Sequence, residues 1–170
     1  MQPASTNSSS GLWDFSLAFY ARAGVADACL HLQDEQGVNV NLLLWCAWLD
    51  ARAIMLDAGR LHSAQKRIHA WDEHYVVPLR QLRRRMKAEF GVEDAGIEAV
   101  REQIKHAELL AERQLQFWLE TMVASWDERP AGKPAAEWNN LRFYLQHMSV
   151  TETTIAQVVD LFSAGAGSTR

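Results

Sequence analysis

The chain has 170 residues, a length typical of one domain, and its 48% hydrophobic and 22% charged residues are typical of a soluble globular protein. It carries 17 Lys and Arg against 21 Asp and Glu, a formal net charge of −4. This balance argues against a dedicated nucleic-acid-binding protein, because such proteins usually carry a basic excess. Two cysteines are too few for a disulfide framework or for a zinc site made of cysteines alone.

Both ends of the chain are predicted to be disordered tails, at residues 1–11 and 164–170, because they are small, polar and without periodicity. One domain is expected over residues 12–163. The first 21 residues contain no Lys or Arg, so we do not expect a secretory signal peptide. The longest apolar run, residues 42–49, is too short to span a bilayer as a helix. The expected compartment is the cytoplasm, with both thiols reduced.

The first half of the domain shows helical periodicity. A segment that begins at Leu12 is apolar almost all round and predicts a short buried helix. An amphipathic stripe at i, i+3, i+4 and i+7 spacing follows, made of Val25, Ala28, Cys29 and Leu32. Gly37 is expected to end that helix, and Asn39 is the expected N-cap of the next, from about 40 to 57. Because the first half of this helix is apolar on every side, we expect it at the centre of the fold, ending at Gly59.

The second half is also helical in pattern. Pro78 predicts a kink or a break, since it removes a backbone donor and disfavours helix at the preceding residue. The helix that Pro78 opens has an apolar stripe made of Leu79, Leu82, Met86 and Phe90. The longest helix is predicted over about 94–126, where Leu110 and Phe117 form a second apolar line that indicates contact with two other helices. A loop at 127–134 and two further helices complete an all-α, single-domain bundle of six to eight helices around the helix at about 40–57.

A family resemblance covers roughly half of the chain. The residues that carry it are Leu12-Trp13-x-Phe15, Tyr20, Gly24-Val25, Cys29-Leu30-x-Leu32-Gln33-Asp34, Gly37-Val38, Asn41-Leu42-Leu43-Leu44, Cys46-x-Trp48-Leu49 and the later run PLRQLRRRMK at 78–87. In these residues the chain resembles an uncharacterised family of small proteobacterial proteins without an assigned activity. The resemblance implies a bacterial cytoplasmic protein with an all-α fold, and it implies no catalytic residue.

The strongest local charge feature is the run RQLRRRMK, which places five cations within eight positions. They are Arg80, Arg83, Arg84, Arg85 and Lys87. Three interpretations stay open for this basic helix. It can pair with Asp and Glu of neighbouring helices, bind an acidic protein partner, or contact nucleic acid or an anionic membrane surface. No aromatic residue is interleaved with the arginines, which argues against recognition of single strands.

Tryptophan is abundant, with seven residues, of which Trp126 and Trp138 flank the predicted loop while the others lie on apolar stripes and are expected in the core. Trp and Arg are the usual anchors of protein interfaces. The first hypothesis is therefore a non-enzymatic interaction or adaptor module that binds an acidic protein partner, without metal or cofactor. Its candidate interaction patch consists of Arg80, Arg83, Arg84, Arg85, Lys87, Trp126 and Trp138.

Two other hypotheses remain. The second is an enzyme or carrier with an internal cavity that uses Asp50 and Asp57, at i, i+7, or His69 and Glu73, at i, i+4, with a metal. The simpler interpretations are a hydrated end of a buried helix for the aspartates and a solvated face for the His69 pair, since Lys66 lies on that face. The third hypothesis is a regulator that contacts nucleic acid through the RQLRRRMK helix.

The sequence lacks the motifs of several common enzyme and cofactor-binding classes. The sequence contains neither phosphate-binding glycine loop, no Gly-x-Ser-x-Gly elbow and no His-Glu-x-x-His. None of the six histidines follows a Glu by three residues, which excludes the usual ferritin-like ligand pattern. Cys29 and Cys46 lie in apolar surroundings and are expected to pack in the core rather than to act as nucleophiles.

Overall fold

The computed structural model describes residues 11–126 and 137–164. Within these ranges the chain forms eight α-helices and one π-helical turn, without any strand, which confirms the predicted all-α, single-domain bundle. The elements are α1 (Leu12–Tyr20), α2 (Val25–Gln36), α3 (Val40–Ala51), α4 (Ala58–Trp71), the π-helical turn (Asp72–Val76), α5 (Val77–Phe90), α6 (Ala95–Ala124), α7 (Asn139–His147) and α8 (Glu152–Ala164). The predicted loop at 127–134 and most of the two predicted tails lie outside the described residues.

Helix α3 is the central element of the bundle, as its sequence predicts. Ten of its twelve residues are buried, and it packs against α1, α2, α6 and α7. Asn39 is its N-cap, because the side-chain oxygen accepts hydrogen bonds from the backbone N–H groups of Asn41 and Leu42 at 3.0 and 3.2 Å. Burial of this apolar helix on all sides makes it the scaffold from which the other helices are positioned.

The central helix ends earlier than predicted, at Ala51 rather than near residue 57. Ala53 adopts a positive φ of 56°, and the N–H of Ile54 donates to the carbonyl of Leu49 at 3.0 Å, which closes the helix in the manner of a Schellman motif. Helix α4 then begins behind Asp57, whose side chain caps it by accepting from the N–H of Arg60. Gly59 consequently lies inside α4 and ends no helix.

The kink or break predicted at Pro78 is not a break, because the chain stays helical from α4 to α5 through a π-helical turn. The N–H of Val77 donates to the carbonyl of Asp72, five residues earlier, and Pro78 sits in the first turn of α5, where its missing N–H costs least. Helix α5 buries none of its residues, and Leu82 and Phe90 of its predicted apolar stripe are exposed. Leu79 is half-buried and packs against the core, and the helix packs mainly against α6, so other side chains must supplement this limited apolar attachment.

Helix α6 is the longest element and contacts α1, α3, α4 and α5. Its capping residue is Asp94, which accepts from the N–H groups of Gly96 and Ile97. The buried side of α6 is partly polar and consists of Glu108, Ala111, Leu115, Gln116, Leu119 and Val123. Leu110 and Phe117 are more than half exposed, so the second apolar line expected from the sequence is not part of the core. No helix in the described ranges is long and apolar enough to cross a membrane.

Candidate functional site

The two inward arginines of the basic helix form a partly buried ion cluster with α6. Glu108 accepts hydrogen bonds from Arg80 Nε at 3.2 Å and from Arg83 Nε and Nη2 at 2.6 and 3.2 Å. Arg80 Nη2 also donates to Glu112 Oε1 at 2.7 Å. The side chain of Glu108 is only 7% exposed. Its hydrogen bonding with Arg83 is the main reason why the pKa of Arg83 is raised. Pairing with neighbouring acids is therefore the interpretation that holds for these two arginines.

The other cations of the candidate patch lie nearer to solvent. Arg84 Nη1 donates to Asp34 Oδ1 of α2 at 2.8 Å, and this hydrogen bond is the main cause that lowers the pKa of Asp34. Arg85 approaches Glu89 at 4.0 Å in an exposed i, i+4 pair, and Lys87 is exposed. The patch is thus divided into an inward pair, an intermediate arginine and two solvated cations.

A chain of polar side chains extends the ion cluster into the bundle. Gln116 Nε2 donates to Asn41 Oδ1 of α3 at 2.9 Å, and the nearby Asn41 side chain acts to lower the pKa of Glu112. Burial nevertheless raises the pKa of Glu112. The network therefore connects α3, α6 and α5 through Asn41, Gln116, Glu112 and the arginines.

The sequence interpretation missed the acceptors of this network. Glu108, Glu112 and Gln116 recur every four residues and so share one face of α6. That spacing is a readable signal. Acidic residues at this spacing are usually solvated, and only the position of α5 reveals that these are covered.

A cleft of about 240 Å³, which we call the central cleft, lies between α1, α2, α3, α5 and α6. The polar network forms one wall, and the apolar remainder consists of Trp13, Leu17, Leu30, Val40, Leu44 and Leu109. Ser16 and Gln116 also line it. Ser16 Oγ and Gln116 Oε1 are buried and have no hydrogen-bond partner in the described parts of the chain. Tyr20 completes the lining, and burial raises the pKa of its phenol.

A second cleft, of about 340 Å³, lies on the other side of the basic helix, between the α2–α3 connection and the start of α5. The residues that it shares with the central cleft are Gln33, Val40, Arg80 and Arg84. Asp72 lies in its wall, where one carboxylate oxygen accepts from Asn39 Nδ2 at 3.0 Å and burial raises the pKa. Arg80 and Arg84, together with Gln33 and Val40, therefore lie between the two clefts.

The sequence model of a family of proteins of unknown function, designated DUF2390, matches residues 11–119. The chain belongs to the DUF2390 family. Searches of curated proteins and of solved structures give no significant match. The DUF2390 match includes every residue that lines the central cleft and ends before Trp126 and Trp138.

The two tryptophans of the candidate patch are structural neighbours of the core rather than of the arginines. Trp126 packs edge-on against Trp45, and Trp138 packs against Phe162 while its indole N–H donates to Ser163 Oγ at 2.8 Å. Trp126 follows Glu112 by 14 residues, which corresponds to about 21 Å along a helix axis. The described structure of this DUF2390 member therefore does not gather the arginines and tryptophans into one groove.

The aspartates that suggested a metal site have separate structural roles. Asp50 is buried, not hydrated as expected, and its two carboxylate oxygens accept from the N–H groups of Asn140 and Leu141 at 2.9 and 3.1 Å. Desolvation raises the Asp50 pKa to about 6 in spite of these bonds. Asp57 is the exposed N-cap of α4. Asp50 thus caps helix α7 from α3, and the two carboxylates belong to different helix ends.

The His69–Glu73 pair lies on a solvated face and the two thiols pack in the core, as the simpler interpretations of the sequence predict. His69 Nε2 lies 3.2 Å from Glu73 Oε2 on an exposed face of the DUF2390 chain. Across residues 11–126 and 137–164, no three His, Cys, Asp or Glu side chains form a group that could hold a metal ion. Cys29 and Cys46 are both buried and free, and burial raises the pKa of Cys29 to about 12 and that of Cys46 well above its usual value.

Proposed function

We propose that this DUF2390 protein binds a small amphipathic molecule in the central cleft. The observation that carries the proposal is a cleft with one apolar and one polar wall. Two residues that line it have buried oxygens, Ser16 Oγ and Gln116 Oε1, for which residues 11–126 and 137–164 supply no hydrogen-bond partner. Ligand sites typically combine apolar linings with a few placed polar groups. Buried polar atoms normally have a partner, so two exceptions at one cleft need an explanation, and a bound ligand supplies it.

The size of the cleft supports a ligand rather than a few waters. At about 240 Å³ the cleft holds more than a few waters but lies below the range of about 300–1,000 Å³ for drug-sized ligands, so its ligand is expected to be small. A rigid organic acid, alcohol or amide with one or two rings fits this size. The neighbouring exposed side chains, Leu17, Leu30 and Leu109, provide an apolar entrance.

The interaction-module hypothesis has less support than it had from the sequence. Arg80 and Arg83 form ion pairs with Glu108 and Glu112, so the solvated cations of the patch are Arg85 and Lys87. The same pairing reduces what the helix offers to a nucleic-acid backbone. Binding of an acidic partner through the patch stays a prediction, as does a proteobacterial, cytoplasmic origin. We assign no catalytic residue.

The test compares two neighbouring leucines of α6. Leu109 lines the cleft and is 40% exposed, whereas Leu110 is 51% exposed and lies outside the cleft. The probes are 2-naphthoate, 2-naphthamide and 2-naphthylmethylamine, titrated by isothermal calorimetry and by protein-observed NMR. We expect at least one probe to bind with one-to-one stoichiometry, Leu109→Trp to weaken it about tenfold or more, and Leu110→Trp to leave it unchanged.

Two outcomes would contradict the proposal. One is that no probe binds at concentrations up to about 1 mM, the weak end of specific affinities. The other is that Leu109→Trp and Leu110→Trp affect binding equally, since the site would then lie elsewhere. Both variants place a tryptophan at an exposed position, so differences in folding are controlled within the pair.

A further inference from the structure

We propose that the ligand of the central cleft carries a carboxylate, and that Arg84 binds this carboxylate by exchanging its partner Asp34 for the ligand. The inference rests on the proposed function and names the ligand class and the residue that selects it. Three observations support it: the charge of the cleft, the different bonding of its arginines, and the position of Arg84 between the two clefts.

The charged lining of the central cleft has a cationic excess. Its cations are Arg80, Arg83, Arg84 and Lys105, and its carboxylates are Glu108 and Glu112. Asp34, which pairs with Arg84, lines the second cleft and not the central one. Asp34 and Glu102, the partners of Arg84 and Lys105, balance this excess, so an anionic group meets an unpaired arginine in the central cleft only when Arg84 leaves Asp34.

The inward arginines are not available for exchange. Four hydrogen bonds join Arg80 and Arg83 to Glu108 and Glu112, and both carboxylates are largely withdrawn from water. Pulling Arg80 away would remove the arginine that Glu112 pairs with, and pulling Arg83 away would break two of the three hydrogen bonds of Glu108, which is strongly unfavourable for carboxylates largely withdrawn from water. These two arginines are neutralised by Glu108 and Glu112 and do not change partners.

Arg84 differs from Arg80 and Arg83 in both its hydrogen bonding and its exposure to solvent. Within the described residues its single side-chain hydrogen bond goes to Asp34, and the two side chains are 41% and 45% exposed. Exposed pairs of this kind add little stability, and Asp34 regains water when it is released. Because Arg84 lines both clefts, its guanidinium needs only a side-chain movement to turn from Asp34 to the central cleft.

The remaining cation is less suited to this role. Lys105 is half exposed and lies 3.5 Å from Glu102. Its ammonium is a point charge, whereas a guanidinium can hold both oxygens of a carboxylate through parallel N–H donors. Gln116 Oε1 accepts no hydrogen bond from the part of the chain that the structure describes, so the ligand is expected to carry a hydroxyl or amide N–H as well.

The experiment measures ligand-charge preference in matched variants. The probes are again 2-naphthoate, 2-naphthamide and 2-naphthylmethylamine, which share one ring system and differ in charge. For the native chain we expect the carboxylate to bind about tenfold more tightly than the amide, with the amine weakest. The hydroxylated probe 6-hydroxy-2-naphthoate is expected to bind more tightly than 2-naphthoate, because its O–H can donate to Gln116.

Three substitutions separate Arg84 from its neighbours. Arg84→Gln is expected to remove the preference for the carboxylate while it leaves binding of the amide intact. Arg85→Gln, the next residue along α5 and outside both clefts, is expected to keep the full preference. Asp34→Asn removes the competing carboxylate, so we expect it to strengthen 2-naphthoate binding a few-fold and not to alter amide binding.

The outcomes distinguish this inference from the proposed function. If the three probes bind equally and Leu109→Trp weakens all of them, the cleft is a ligand site but the carboxylate inference is wrong. It is also wrong if Arg84→Gln retains the preference or Asp34→Asn weakens carboxylate binding. If no probe binds, or Leu109→Trp has no effect, the proposed function itself fails. Thermal unfolding of each variant shows whether a loss of binding reflects a loss of fold.

Discussion

Replacing Glu108 with alanine should loosen α5 from the bundle, because α5 buries none of its own residues and Glu108 holds two of its arginines. The substitution removes three hydrogen bonds, from Arg80 Nε and from Arg83 Nε and Nη2. It leaves two guanidiniums against a partly apolar surface with one carboxylate fewer. The prediction therefore tests whether a charged cluster, rather than apolar packing, attaches the basic helix.

The magnitude follows from the type and burial of these bonds. Hydrogen bonds to charged groups contribute about 1.5–3 kcal/mol each. The sum over the three lost bonds is an upper limit for the loss of folding free energy, and the expected loss is well below that limit. Arg80 keeps its bond to Glu112, and the side chains of Arg80 and Arg83 are 14% and 25% exposed and can take up water. We therefore expect a loss of about 3 kcal/mol, the lower end for breaking a buried pair.

Urea denaturation followed by circular dichroism measures this loss directly, with Glu89→Ala as the matched control. Glu89 belongs to the same helix as the arginines, and its one ion pair within the described residues is the exposed 4.0 Å pair with Arg85, so its removal should cost less than about 0.5 kcal/mol. In a chain of this length about 3 kcal/mol also corresponds to a melting temperature lower by about 6–12 °C. Hydrogen exchange should accelerate in α5 and not in α3. Equal losses for the two variants would refute the reasoning.

Two further predictions concern buried groups. The folded state binds the Asp50 proton more tightly than the unfolded chain, since its pKa is raised from 3.8 to about 6. Stability from this group is therefore lost as the pH rises from about 4 to about 6, by up to about 3 kcal/mol. Asp50→Asn should remove that component from urea titrations across this range, and an unchanged pH dependence would contradict it. Cys29 and Cys46 should resist a disulfide-exchange reagent in the native protein at pH 8 and react fully in denaturant; rapid native labelling would show that the core opens.

Local signals were sufficient for much of the fold. The apolar run after Asn39 predicts both the central helix and its N-cap, and Pro78 predicts the interruption before α5, because capping and proline geometry depend on nearby residues. The end of α3 could not be predicted in the same way. Ala53 takes a left-handed conformation that is unfavourable for alanine by about 1–2 kcal/mol. It is accepted because Asn140, from α7, accepts from the N–H of Leu56 and donates to the carbonyl of Ile54.

The sequence predicted which arginines belong to the candidate site, but not whether their side chains face α6 or solvent. The arginine-rich run is visible in the sequence, but whether its charges face solvent depends on Glu108, which lies 25 residues after Arg83. The central cleft combines residues from five helices, and no short motif encodes such a combination. Asp50 illustrates the same limit, because its partners Asn140 and Leu141 are about 90 residues away along the chain.

The π-helical turn at Asp72–Val76 lies directly before the basic helix. A turn closed by an i→i+5 bond contains about one more residue than an α-helical turn, so the additional residue is accommodated within that single turn. Deleting one exposed residue there, such as His74, should therefore restore regular α-helical winding while Arg80 and Arg83 continue to face α6. The polypeptide can thus lose an amino acid at this point without redirecting the arginines that follow it.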